Sequence, residues 1–289
     1  MKKAFLTTIL LSTLLTATAF AGWRGGTMCE IIGVGSVEFG KQFRNSLTRM
    51  NLHGDIVYIM ERTYYMEGDA KKLYSTDSIN FDRRGNLDDR VYIRNNVYTW
   101  YSYYFDGNSY ALGWNEYDRA DKLQARTAYL NDRKGNRTER TIYFAGKMSK
   151  RETYKYEGTN LVEELHYSEN GSVSEKRLYK YDGSGNCSQI EFYDAAGDLK
   201  QTYYYKYDGN GNRIEWRFYD DDENLIKLTT YYYDEHNNVT EIHSFNYDEH
   251  VNWKHTYVYE YDEDGNWVRQ TIFRNGEKYQ IIEREIAFR

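Results

Sequence analysis

Proline is absent from the 289 residues, where an average chain carries about 5 %. No strand therefore has a gap in its hydrogen-bonding ladder, so every stretch is open to central pairing. Cysteine is scarce. Cys29 and Cys187 could form one disulfide in an oxidising compartment, but they lie far apart, and two unpaired thiols are the expected state. Positive charge is short as well. The formal net charge is −6, and removal of Lys2 and Lys3 with a leader takes it to −8. An acidic chain without basic clusters is a poor partner for nucleic acid or an anionic membrane surface. Serine elbows, Cys–His pairs and phosphate loops are missing too. Gly209 and Gly211 sit in a turn rather than before a helix. No stretch after the first twenty or so residues is long and apolar enough for a helical membrane span.

The one apolar run is at the start. Met1-Lys2-Lys3 precedes Ala4 to Leu15, and Ala19-Phe20-Ala21 gives a small-x-small cleavage pattern. These features predict a secretory signal peptide over residues 1–21. Residues 22–54 are expected to form an irregular arm and a short amphipathic helix. Ser36 is a candidate N-cap for a helix over 36–50, with Phe39, Phe43, Leu47 and Met50 on one stripe.

Tyrosine is abundant: 32 copies against 12 Phe and 6 Trp, in a chain of low mean hydropathy, −0.88. From Ile56 the hydrophobic period is two, the period of a strand. Turn signals then recur to the end of the chain. The clearest are Tyr181-Asp182-Gly183-Ser184-Gly185-Asn186, Tyr207-Asp208-Gly209-Asn210-Gly211-Asn212 and Tyr261-Asp262-Glu263-Asp264-Gly265-Asn266. Asp at the first turn position accepts local N–H bonds, and the last Gly supplies the left-handed residue of a three-residue hairpin loop with a bulge. One repeat domain over 55–289 follows. Its expected class is all-β, an antiparallel meander of roughly eighteen strands that curls into a barrel-like or spiral sheet.

Stepping outward from Asp208 opposite Asn212 places Tyr204 against Trp216 and Lys206 against Ile214. That register gathers Ile214, Trp216, Phe218, Ile226, Leu228, Ile242, Val258, Val268 and Ile272 on a core face. It turns Tyr203, Tyr205, Tyr231, Tyr257 and Tyr259 outward. Rigid aromatics with polar tips suit sugar stacking and protein interfaces, so these five are the candidate binding residues.

The hexads resemble the YD repeats of RHS/YD-repeat proteins, exported bacterial repeat chains. The likeness spans about residues 78–289 and is strongest from Tyr181 to Phe273. Asn186, Asn212 and Asn266 stand where the family pattern has Arg. The Pro-containing core motif and variable toxin domain of the large RHS proteins have no counterpart here. The resemblance implies hairpin-rich β-structure in an extracytoplasmic setting and carries the family's sugar-binding label, without implying a toxin.

Asp208-x-Asn210-x-Asn212 imitates the start of a calcium loop, but Arg213 and Tyr219 replace the required Gly and Glu. His243 and His255 fall on one face of adjacent strands, with Asp248 or Glu249 as the only available third ligand. No metal, cofactor or catalytic residue is assigned. The expectation is an exported, non-enzymatic binding or structural module of the cell surface or periplasm, with a glycan or another surface protein as partner. Two alternatives stand beside it. An outer-membrane β-barrel would have Thr202, Ser244, Lys254 and Glu260 interrupting its lipid face. A carbohydrate-active enzyme would need a carboxylate pair in a cleft.

Overall fold

The computed structural model describes residues 46–289. The expected leader, the arm and the first part of the expected helix lie outside them. What is described of that helix is a single turn, α1 (Ser46–Arg49). Eighteen strands follow. They begin with β1 (Ile56–Glu67), β2 (Ala70–Phe81), β3 (Leu87–Arg94), β4 (Val97–Phe105), β5 (Ala111–Tyr117) and β6 (Leu123–Asn131). The middle third is β7 (Arg137–Phe144), β8 (Lys147–Glu157), β9 (Asn160–Tyr167), β10 (Val173–Tyr181), β11 (Cys187–Asp194) and β12 (Leu199–Tyr207). The last are β13 (Arg213–Asp220), β14 (Leu225–Tyr233), β15 (Val239–Asn246), β16 (Val251–Tyr261), β17 (Trp267–Arg274) and β18 (Glu277–Phe288).

Each strand pairs antiparallel with its neighbours in sequence, and β1 also pairs with β18 through Met60 opposite Glu285 and Thr63 opposite Ile282. The sheet therefore closes into an 18-stranded meander barrel. Closure leaves no unpaired edge, which removes the aggregation hazard of a wide open sheet. The Asp-x-x-Gly-Asn turns all fall on one rim, together with both described chain ends, where Arg289 N donates to Asp55 O at 2.8 Å.

The repeat hexad builds its turn as the sequence anticipates. Asp208 Oδ1 accepts from Asn210 N and Asn212 N, and Gly211 N donates back to Asp208 O. Gly211 has φ +78°, and Asn237 takes the same role at +61°. The closing Asn also ties turns together along the rim. Asn212 Nδ2 donates to Asn237 Oδ1 at 2.8 Å, and Asn266 holds His53 through both its amide ends. Leu47, Met50 and Leu52 drop from α1 and its exit into the barrel mouth against Ile59, Ile79, Leu87, Tyr103 and Tyr129. Leu47 N is anchored by Gly85 O.

The expected register is wrong by one residue, and the cause is local. Tyr207 faces Arg213, but Lys206 faces Glu215, so Ile214 is the unpaired residue of a bulge. The same slip recurs before Asp234 and Asp262. Because side chains alternate faces with period two, one extra residue exchanges the faces of the following strand. Trp216 therefore meets Tyr205, not Tyr204. Tyr203, Tyr205, Tyr231, Tyr257 and Tyr259 turn inward, while Ile214 and Val258 face out. The inner wall is filled in three arcs. One lies around Ile59, a second joins Leu161, Ile190 and Tyr205, and a third joins Tyr231, Ile242, Tyr257 and Ile272.

Candidate functional site: the inner wall of the barrel

The five tyrosines singled out from sequence share the inner wall of β12, β14 and β16. Tyr203 stands edge-on to Trp216 at 5.3 Å and to Phe218 at 5.4 Å. Arg213 lies over the rings of Tyr205 and Tyr231, at 5.5 and 4.9 Å, and donates to Tyr231 OH. Tyr259 OH donates to Val239 O at 2.8 Å. Tyr257 is 3 % exposed. Burial pushes the phenols of Tyr205, Tyr257 and Tyr259 far above their ordinary range, so they act as neutral donors and packing surfaces. The outward binding face expected from these residues is not formed by them. Their strand neighbours Tyr204 and Tyr232 are exposed instead, as are Tyr104 and Tyr247 elsewhere on the barrel.

The two histidines expected to share a face lie on opposite walls, because the β15–β16 hairpin closes with Asn246 opposite Val251 and without a bulge, which sets Ile242 rather than His243 on the face of His255. His243 lies on the outer wall, 2.7 Å from Glu241 Oε1, whereas His255 packs inside against Trp253 and Tyr257. Burial, reinforced by Arg274, pulls His255 down to about 4. Its folded value lies below its unfolded one, so between roughly 6.5 and 4 the unfolded chain binds a proton that the folded chain refuses. Stability is therefore lost as pH falls through that window, by on the order of 2 kcal/mol from this residue. Urea midpoints at pH 7 and 4.5 should fall less in His255→Phe than in the parent protein. Equal falls would remove His255 as the cause.

A second inner-wall feature escaped the sequence reading. Glu152 on β8, Glu164 and His166 on β9, and Glu175 and Arg177 on β10 converge inside the barrel. His166 is directly opposite Glu152 on one side and Glu175 on the other. Burial alone would raise Glu152, but Arg140 and the bonds from Lys150 and Tyr154 bring it down to about 2. Glu164 is likewise held below its usual value, because His166, Arg177 and Tyr179 outweigh its burial. Glu164-x-His166 at strand spacing, flanked by Glu152 and Glu175, was the available signal. It required the correct register to be seen as one cluster.

A third cluster joins β18 to β3 across the closure. Arg284 Nε donates to Glu61 Oε2 at 3.0 Å, and Arg90 Nε to Asp77 Oδ1 at 2.7 Å, all four side chains buried. Arg284 also lies 3.3 Å above the Trp267 ring. At the rim, the carboxylate of Asp208 is engaged by its own turn. Cys187 is a buried free thiol that burial pushes up to about 12, while Cys29 lies outside the described residues.

No family model matches the chain, and no curated protein does. Among solved structures, the chain is similar to a porin-like protein from Bacteroides uniformis, at 12 % identity over 81 % of this chain and 99 % of that one, with a TM-score of 0.45. A porin-like protein from Bacteroides vulgatus gives 12 % identity over 79 % and 97 %, with a TM-score of 0.28. TcdB2-TccC3 without its hypervariable C-terminal region gives 11 % over 78 % of this chain and a TM-score of 0.26, and the match spans 16 % of that protein. At these scores function has to be argued from the residues of this chain.

Proposed function

We propose that the protein is an exported, non-enzymatic barrel of the cell envelope that serves as a binding or structural module with its outer wall in water. The outer wall carries the reading. Arg151–Glu139, Lys180–Glu191, Lys206–Glu215–Arg217 and Lys254–Glu241–His243 form ladders across its strands, with Arg269–Glu260 beside them. A lipid-facing band would hold apolar side chains at these levels, because charges near a bilayer midplane cost about 2–4 kcal/mol each. The signal-like N-terminus and the YD-like hexads support export. A glycan partner is supported by outer-wall aromatics: Trp100 stacks on Tyr117 at 4.6 Å, and Asn115 Nδ2 donates to the hydroxyls of Tyr104 and Tyr117.

An outer-membrane barrel is the second reading, favoured by the closure of β1 on β18, the even strand number and the polar groups inside. Fractionation separates the two. The water-exposed module is expected in the periplasmic or secreted fraction without detergent, and to bind on a glycan array without turnover. Recovery only with detergent, as a species whose gel mobility changes on heating, would establish the membrane barrel instead. Turnover of any polysaccharide on the panel would end the non-enzymatic reading.

A further inference from the structure

The cluster on β8–β10 is built around one imidazole. His166 Nδ1 lies 3.6 Å from Glu152 Oε1, and Nε2 lies 2.7 Å from Glu164 Oε1 and 3.9 Å from Glu175 Oε1. One ligand atom from each of Glu152, Glu164 and His166 lies within 4.8 Å of the other two. The three residues are 2 %, 7 % and 6 % exposed. His166 Nε2 makes no hydrogen bond although Glu164 Oε1 is so near. The oxygen stands beside the nitrogen but off the line along which an N–H would point. In the tautomer protonated at Nδ1, the Nε2 lone pair and this carboxylate oxygen would repel each other in the buried wall, and a cation between them would relieve that repulsion.

We propose that Glu152, Glu164 and His166 bind one divalent transition-metal ion, with Zn²⁺ the best match. One imidazole with two or three carboxylate oxygens is a donor set for zinc rather than for a thiolate-loving metal. Burial of the donors makes the site structural: it leaves no open position for a substrate and ties the neighbouring strands β8 and β9 together. The rival is a metal-free ion-pair network, since Arg140 and Lys150 sit 3.4 and 2.7 Å from Glu152 and Arg177 sits 3.6 Å from Glu164. Lys150 is half-exposed, and it can swing into water as an ion takes its place on Glu152. Arg177 retains Glu175 at 2.5 Å.

The test uses the whole exported chain, stripped with EDTA and titrated with ZnCl₂ by calorimetry, with thermal melting alongside. One equivalent of Zn²⁺ is expected to bind, and zinc about 100-fold above Kd should raise the melting temperature by several degrees. His166→Gln keeps the size of the side chain and should weaken binding at least about tenfold. The outer-wall control His243→Gln should leave it unchanged. Glu164→Gln provides the same readout if His166→Gln does not fold. Absence of stoichiometric binding overturns the proposal in favour of the ion-pair network. Zinc affinity that survives either inner-wall substitution overturns it in favour of adventitious surface sites.

Discussion

Arg284→Met should destabilise the barrel by about 3–5 kcal/mol, because it strands a carboxylate inside the wall. Arg284 Nε reaches Glu61 Oε2 at 3.0 Å where β18 closes on β1, and both side chains are buried. Methionine can still lie over Trp267, so most of the loss comes from Glu61 rather than from packing. Burial already pushes Glu61 above the ordinary carboxylate range, against the pull of Arg284. Without Arg284 it rises further. A raised folded value means that the folded chain binds more protons than the unfolded one, so stability falls as pH climbs above the unfolded value of about 4.3. The deficit of Arg284→Met should therefore be larger at pH 8 than at pH 5. Glu61→Met combined with Arg284→Met should recover most of it, since a well-packed apolar pair often equals a buried ion pair. Arg62→Met, which breaks the exposed pair with Glu285 one position along β1, should change little. Chemical denaturation of the parent and these three variants at both pH values measures the differences. A double variant as weak as the single one, or a deficit that does not vary with pH, would place the cost in packing around Trp267.

The same closure shows how far the sequence carried. Asp208, Gly211 and Asn212 declared the turn, its left-handed residue and its side-chain bonds, because those are short-range chemistry written within five residues. Strand number and all-β class followed from the recurrence of that unit. Ile214 declared nothing. A bulge residue looks like any strand residue, and a count made outward from the turn passes over it. The strand on one side of the bulge is then assigned to the wrong face: Trp216, Phe218, Ile242 and Ile272 line the inner wall as expected, but Tyr203, Tyr205, Tyr231, Tyr257 and Tyr259 opposite them were taken for a surface. Segregation of aliphatic from aromatic residues looked like support for the wrong register, because the inner wall mixes the two: Tyr257 faces Ile272, and Tyr231 faces Ile242. The Glu152–His166 cluster was hidden for a related reason. Its members come from three strands, so only correct pairing brings them together. Leu47 and Met50 were legible as part of the apolar stripe of the expected helix, and they are buried in the barrel mouth.

Gly113→Ala should cost about 3 kcal/mol or more, although the glycine sits mid-strand in β5 and carries no motif. Its φ is +144°, and a Cβ there would lie 2.1 Å from Thr127 O and 3.1 Å from Ala128 Cα. Both obstacles are backbone atoms of β6, and Gly113 is the residue directly opposite Ala128. Neither can move without parting β5 from β6. In an open sheet that separation could spread to an edge. In a closed ring each strand is held from both sides, with Gly113 also opposite Tyr104 of β4, so strain at one pair is passed to its neighbours. Gly197→Ala is the informative comparison. Gly197 also has positive φ, +90°, but a Cβ there meets nothing within 4 Å. It should incur only the backbone term, about 1 kcal/mol. The difference between the two variants in urea midpoint therefore measures the close approach of β5 to β6 rather than glycine's freedom in general. If Gly113→Ala lost no more than Gly197→Ala, the wall at β5–β6 would have to be looser than 2.1 Å allows. The closed ring would then have slack at the point where it has the least room.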